Sequence, residues 1–289
     1  MAVYERIYRR YTGELTPPRF RFLVLPRYAY REVFKSRWFL IFFVLCFVPP
    51  LIFAVGIYLR HNLTFLELFS LQTGDFLKID NTLFRQMLIG QGVMSLLLTV
   101  FVAPAMISSD LRNNALPLYL SRPFTRFEYL LGKATVLAVL ISAVTWVPLL
   151  LLFVLQASME TGWFQQYAWV ILSILTGSGL WILLMCLLGL SVSAWVKWKA
   201  VARLSIFALF FVSGTVAGLF NLLFNSQIDK PWGNLLSIFQ VMRSVWLGLF
   251  GEGASSSVPV WSAWIALAFI LLLSTWLLSR KVRAYEVVK

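Results

Sequence analysis

"SSDLRNNALPLYLSRPFTRFEYLLGK", residues 108–133, lies between two uncharged runs, "MLIGQGVMSLLLTVFVAPAMI" (87–107) and "ATVLAVLISAVTWVPLLLLFVL" (134–155). Each flanking run has the roughly 20 apolar residues that a helix needs to cross a bilayer. The connection between them carries four basic and two acidic residues. A membrane-crossing hairpin with a charged, structured turn fits this pattern, and the rest of the chain follows from it.

The whole chain is 60% hydrophobic and 13% charged. Soluble domains hold about 45–50% apolar and about 25% charged residues, so a membrane protein is the class that fits. Six segments are long and apolar enough to span: Trp38–Tyr58, Met87–Ile107, Ala134–Leu155, Tyr167–Trp195, Leu204–Leu223 and Trp261–Leu278. None contains Asp, Glu, Lys, Arg or His. The chain therefore divides into an N-terminal segment (1–37), a six-span membrane domain (38–278) and a basic tail (279–289). The expected fold is an all-α integral membrane protein.

Of the 25 Lys and Arg residues, 20 lie in four places: the N-terminal segment, the 108–133 connection, residues 196–203 and the tail. The positive-inside rule puts these four on the cytoplasmic side. Both termini are then cytoplasmic, as an even number of spans requires. The net charge of +13 is accounted for by topology and anionic headgroups, with no nucleic acid. The first span starts at residue 38 behind a basic segment, unlike a secretory signal peptide. Cys46 and Cys186 fall inside spans and read as buried thiols.

Residues 25–37, "LPRYAYREVFKSR", have helical amphipathicity. Ala29, Tyr30, Val33 and Phe34 gather on one side and Arg27, Arg31, Glu32 and Lys35 on the other. The pattern is that of an interfacial helix with its apolar face in lipid, or of a topology anchor. Within the 224–260 connection, "NLLSIFQVMRSVWLGLF" (234–250) is nearly apolar enough for a seventh span. Arg243 near its centre and the basic tail beyond it oppose that. Asn234, Ser237, Gln240, Ser244 and Gly248 form a polar stripe at helical spacing. The expected element is a helix dipping into the outer leaflet or packed on the outer ends of the spans.

In the 108–133 connection, Asn113 and Asn114 suit a turn or an N-cap, and "ALPLYL" suits a short helix with Pro117 in its first turn. "TRFE" (125–128) is a capping box: Thr125 accepts from the Glu128 N–H and Glu128 reaches back to Thr125. Phe124 and Tyr129 are spaced for a hydrophobic staple. A helix should start at Arg126 and run unbroken into the third span. A capped, stapled elbow with two prolines is what a docking surface needs and a loose linker does not.

Several chemistries lack their residues. Ion-driven transporters carry ionisable groups inside their spans, and here there are none. "TGSG" (176–179) offers a serine without a base, because the only histidine, His61, lies in the 59–86 connection; close helix packing explains it better. "GTVAG", with Gly214 and Gly218, is a small-residue packing motif of the fifth span, within one chain or between two. "LLGK" (130–133) lacks the rest of a P-loop, with Phe127 and Ala134 at positions that need Gly and Ser or Thr.

The connection resembles the loop between the second and third spans of ABC-2-type transporter permeases. The matching positions are Asp110; Leu116, Leu118 and Leu120; Ser121 and Pro123; Thr125 and Arg126; Gly132 and Lys133. The layout matches as well, in its amphipathic helix, its six spans and its partly buried helix before the last span. The match departs at Asn113–Asn114, where the family pattern has glycine; Asn tolerates left-handed backbone better than most residues. The resemblance implies a membrane permease without catalytic residues, cofactor or metal of its own. Two cytoplasmic ATPase subunits would bind the ATP and Mg, and a second permease copy would complete the assembly in a bacterial inner membrane. Asp110, Asn113, Leu116, Leu118, Tyr119, Leu120, Arg122, Pro123 and Arg126 would then be the ATPase-coupling residues, with Thr125 and Glu128 as structural caps. A membrane scaffold that docks another cytoplasmic partner through the same elbow is the competing expectation.

Overall fold

A computed structural model describes residues 24–62, 78–113, 125–224 and 230–281. These residues are helical throughout, with no strand among them. Six elements are long and apolar enough to cross a membrane: Arg37–Arg60, Asn81–Arg112, Arg126–Met159, Trp169–Trp195, Lys199–Phe224 and Val260–Lys281, here spans 1 to 6. The chain is a multi-pass membrane protein.

The spans form an inner and an outer group. In spans 2, 3 and 4, 50–56% of the most apolar window is buried; in spans 1, 5 and 6 the share is 17–22%. Span 2 packs along spans 3, 4 and 5. Close approach of spans 2 and 4 depends on Gly189, where an added Cβ would lie 2.9 Å from the Ala103 Cβ and 3.1 Å from Thr99 Cγ2. Trp181 of span 4 donates its indole N–H to Ser95 Oγ of span 2 at 2.6 Å. Small residues and buried hydroxyls join helices in this way where lipid removes the hydrophobic drive for association.

Two spans read as continuous in the sequence are broken, each at proline. Span 1 consists of Arg37–Leu45 and Val48–Arg60. Pro50 has no N–H, so the Cys46 carbonyl loses its helical donor. Gln91 of span 2 replaces it, donating its side-chain amide to that carbonyl at 3.2 Å. Span 3 starts at Arg126 as expected but is interrupted at Thr145, between Arg126–Val144 and Trp146–Met159. Pro148 deprives the Val144 carbonyl of its partner in the same way. Cys46 and Cys186 are free, buried thiols.

The amphipathic helix is Val24–Val33, shorter than the 25–37 segment of the sequence reading. Its basic side is exposed as expected, and its apolar side lies partly against protein, with Phe34 left exposed. Ala29 is buried and Tyr30 and Val33 are half-buried. Tyr30 donates its hydroxyl to the Thr135 carbonyl of span 3 at 3.3 Å, and burial holds its phenol above the ordinary pKa. Phe34 meets Phe39 and Phe43 of span 1 edge to face.

The helix before span 6 is Ile238–Leu249, and it inserts between spans. Trp246 is fully buried and donates its indole N–H to the Gly177 carbonyl at 3.1 Å. A Cβ on Gly92 would lie 2.9 Å from the same ring. Gly177 is eight residues into span 4, or about 12 Å below its start at 1.5 Å per residue. At that depth backbone groups need protein partners. Nearer the end of span 5, Asn221 accepts from the Gly233 N–H at 2.8 Å and donates to Asn234 Oδ1 at 2.8 Å. Gly233 is needed for this approach, since a Cβ there would sit 2.7 Å from the Ala217 carbonyl oxygen. Of the polar stripe, Ser237 caps the inserted helix by accepting from the Gln240 N–H, and Arg243 points outward, exposed.

Candidate functional site: a clasped elbow between spans 2 and 3

The elbow is anchored at both of its ends. Span 2 breaks at Ile107 and continues as the short helix Ser108–Arg112. Pro104 lies in the last turn before the break. The Ile107 and Ser108 N–H groups both donate to Ser193 Oγ of span 4, at 3.1 and 3.0 Å. Ser108 Oγ donates back to the Ser193 carbonyl at 2.9 Å. One serine of span 4 thus takes up the backbone donors left by the break.

The other end starts with the capping box read from the sequence. The Thr125 N–H donates to Glu128 Oε2 at 2.7 Å, and the Glu128 N–H donates to Thr125 Oγ1 at 3.2 Å. Loss of such a cap costs about 1 kcal/mol. Thr125→Ala should lower the denaturation free energy of the purified protein by about that amount while Thr125→Ser leaves it close to wild type; equilibrium denaturation in mixed micelles measures both.

Between these anchors, one carboxylate joins the two spans. Asp110 Oδ2 accepts from the Tyr129 hydroxyl at 2.6 Å and pairs with Lys133 Nζ at 2.9 Å. Tyr129 is fully buried, and the Lys133 and Asp110 side chains are 9% and 13% exposed. Tyr129 and Lys133 are one helical turn apart, so both reach the same acid. Their hydrogen bonding makes burial of the charges tolerable.

The sequence places Asp110 and Lys133 in the same family motif but does not pair them or bring Tyr129 to the acid. Tyr129 was assigned to a staple with Phe124, and Phe124 lies outside the described residues. A lysine that directly precedes the uncharged run 134–155, four residues after a tyrosine, was the available signal. Asn113 ends the short helix at φ −92°, ψ 7°, so it does not use left-handed backbone. Arg126 is the exposed first residue of the third span's helix. Leu116, Leu118, Tyr119, Leu120, Arg122 and Pro123 lie outside the described residues. The two glycines of "GTVAG" differ: a Cβ on Gly214 would meet Ser237 Oγ at 3.9 Å, and one on Gly218 would meet nothing within 4 Å.

A second buried ion pair lies at the opposite end of the molecule, and the sequence reading missed it. Arg85 of span 2 pairs with Glu252 at 2.9 Å, their side chains 9% and 19% exposed. Asn81 donates its amide to the Phe250 carbonyl at 2.7 Å. The turn between these contacts passes through Gly251 at φ 77°, backbone that favours glycine. Together they tie the end of the inserted helix to span 2. Among the described residues no group of three or more His, Cys, Asp and Glu side chains is placed to hold a metal ion. No protein-family model matches the chain, and no curated protein matches it.

Proposed function

We propose that the chain is the membrane permease subunit of an ATP-driven transporter of the ABC-2 type, moved by a separate cytoplasmic ATPase that docks on residues 108–133. Two ATPase subunits and a second permease copy complete the assembly, with both termini in the cytoplasm of a bacterial cell. The observation that carries this reading is the Asp110 carboxylate shared by Tyr129 and Lys133. It fixes the two ends of the elbow to each other, and Ser193 fixes the same place to span 4. A push on residues between the anchors is therefore delivered to spans 2, 3 and 4, the three inner spans, as one body. A connection whose only task was to carry positive charge would not need this rigidity.

In this mechanism the elbow's leucines fill an apolar groove of the ATPase, and Arg122 and Arg126 form bidentate pairs with its carboxylates. Thr125 and Glu128 keep the start of span 3 helical under load. Arg122→Gln combined with Arg126→Gln removes two of the 20 clustered cations, too few to reverse insertion. The double variant is expected to insert normally and to lose ATPase binding or substrate-stimulated ATP turnover, read by co-purification and phosphate release. Normal assembly and turnover would reduce both arginines to topology signals. Retained binding with lost stimulation would place them in transmission.

A further inference from the structure

We propose that the elbow-side end of span 6, together with the end of span 4, is a binding site for the phosphate headgroup of an anionic phospholipid. The proposal stands independently of the transport reading. Ile265, Phe269, Leu272, Leu273 and Trp276 are 43–71% exposed. Their three- and four-residue spacing puts them on one stripe of span 6, a bare apolar surface that leads up to Trp276. The stripe ends at Arg280, whose guanidinium lies 4.1 Å from the centroid of the Trp276 ring.

Beside it, the Lys281 ammonium lies 5.1 Å from the Trp195 ring of span 4. Trp195 is itself fixed, donating its indole N–H to the Leu277 carbonyl of span 6 at 3.2 Å. Two tryptophans at one level therefore hold two neighbouring cations by cation–π attraction. Lys197, exposed two residues beyond Trp195, adds a third positive charge to the same corner. Among the described residues neither Arg280 nor Lys281 pairs with a carboxylate.

Tryptophan marks the headgroup level of a bilayer. Cations seated there, above a stripe that receives acyl chains, meet lipid phosphates and not soluble anions. A lipid with net negative charge is preferred to a zwitterionic one, whose own cation is repelled. A topology signal requires only a count of charges and does not require seating on aromatic rings.

The test is native mass spectrometry of the detergent-purified chain with phosphatidylglycerol and phosphatidylcholine, comparing the two retained lipids. Wild type should retain phosphatidylglycerol in preference. Arg280→Gln with Lys281→Gln should weaken that binding about 25-fold, at roughly fivefold per cation. Arg27→Gln with Arg31→Gln removes two exposed cations from the amphipathic helix at the same end and should leave the preference intact. Undiminished phosphatidylglycerol binding in the first variant, or an equal loss in the second, would overturn the proposal.

Discussion

Asp110→Ala should destabilise the purified protein by about 3 kcal/mol or more, because it strands a buried charge. Lys133 would lose its ion pair and Tyr129 its acceptor, in a site where neither side chain reaches water freely. Removal of one partner from a buried pair costs about 3–5 kcal/mol, whereas replacement of both by apolar groups of similar volume is often neutral. Asp110→Leu combined with Lys133→Met should therefore regain the part that the stranded ammonium costs, while the Tyr129–Asp110 bond stays lost. Denaturation in mixed micelles gives the energies. The comparison also separates scaffold from lever. If the clasp serves only stability, the double variant is as active as wild type in the proposed transporter. If its rigidity transmits motion, the double variant is stable and poorly coupled. Equal stability of wild type and Asp110→Ala would mean that the pair carries no structural weight.

Trp246→Ala should cost about 3–5 kcal/mol, the usual range for emptying a large aromatic site in a core. The ring fills the space between Gly92 and Gly177 and stands at 5.4 Å from the Trp181 ring. The Gly177 carbonyl would also lose its donor. Its other polar ties, Ser173 to the Leu249 carbonyl and Asn81 to the Phe250 carbonyl, lie at its far end, so the middle of the helix should loosen before the spans do. Hydrogen exchange along 238–249 would then rise ahead of exchange in spans 2 and 4. Trp246→Phe keeps much of the volume and loses the hydrogen bond, and its cost should be clearly smaller. Exchange that rises uniformly across all spans would show that the helix does not open on its own.

What the sequence revealed and what it concealed divide by range. The absence of charge over six runs marks the spans without any knowledge of neighbours. The capping box is complete within four residues, and Thr125 and Glu128 make the expected bonds. The breaks in spans 1 and 3 stood behind visible prolines. Whether a proline bends or breaks a span depends on what takes up the freed carbonyl, and Gln91 lies 45 residues from Cys46. The inserted helix was readable as a helix because Arg243 and the basic tail argued against a span. Its depth was not, since Asn221 and the two packing glycines become its partners only in three dimensions. The Arg85–Glu252 pair joins residues that look like ordinary connection charges. The apolar side of the amphipathic helix was legible as a pattern, but lipid and the flank of span 3 are equally apolar partners for it. The central part of the elbow carries most of the residues expected to couple to an ATPase, and it lies outside the described residues.

The long reach of span 2's polar contacts sets an order for biogenesis. Ser95 and Ser108 find their partners 86 and 85 residues later in the chain, and Asn81 finds its own 169 residues later. Span 2 therefore enters the bilayer before any of them has been synthesised. Its hydroxyls are satisfied meanwhile by its own carbonyls, as Thr99 and Ser109 still are, and Arg85 waits at the headgroups beside the start of the helix. Such late, non-local closure is slow and exposes intermediates. A nascent chain that ends before Trp246 and Glu252 holds all of spans 1 to 5 but neither the indole that fills the gap nor the acid that pairs Arg85. Such a chain is an open bundle in which Arg85 has no acid to meet, and the residues from Trp246 onward are the ones that close it.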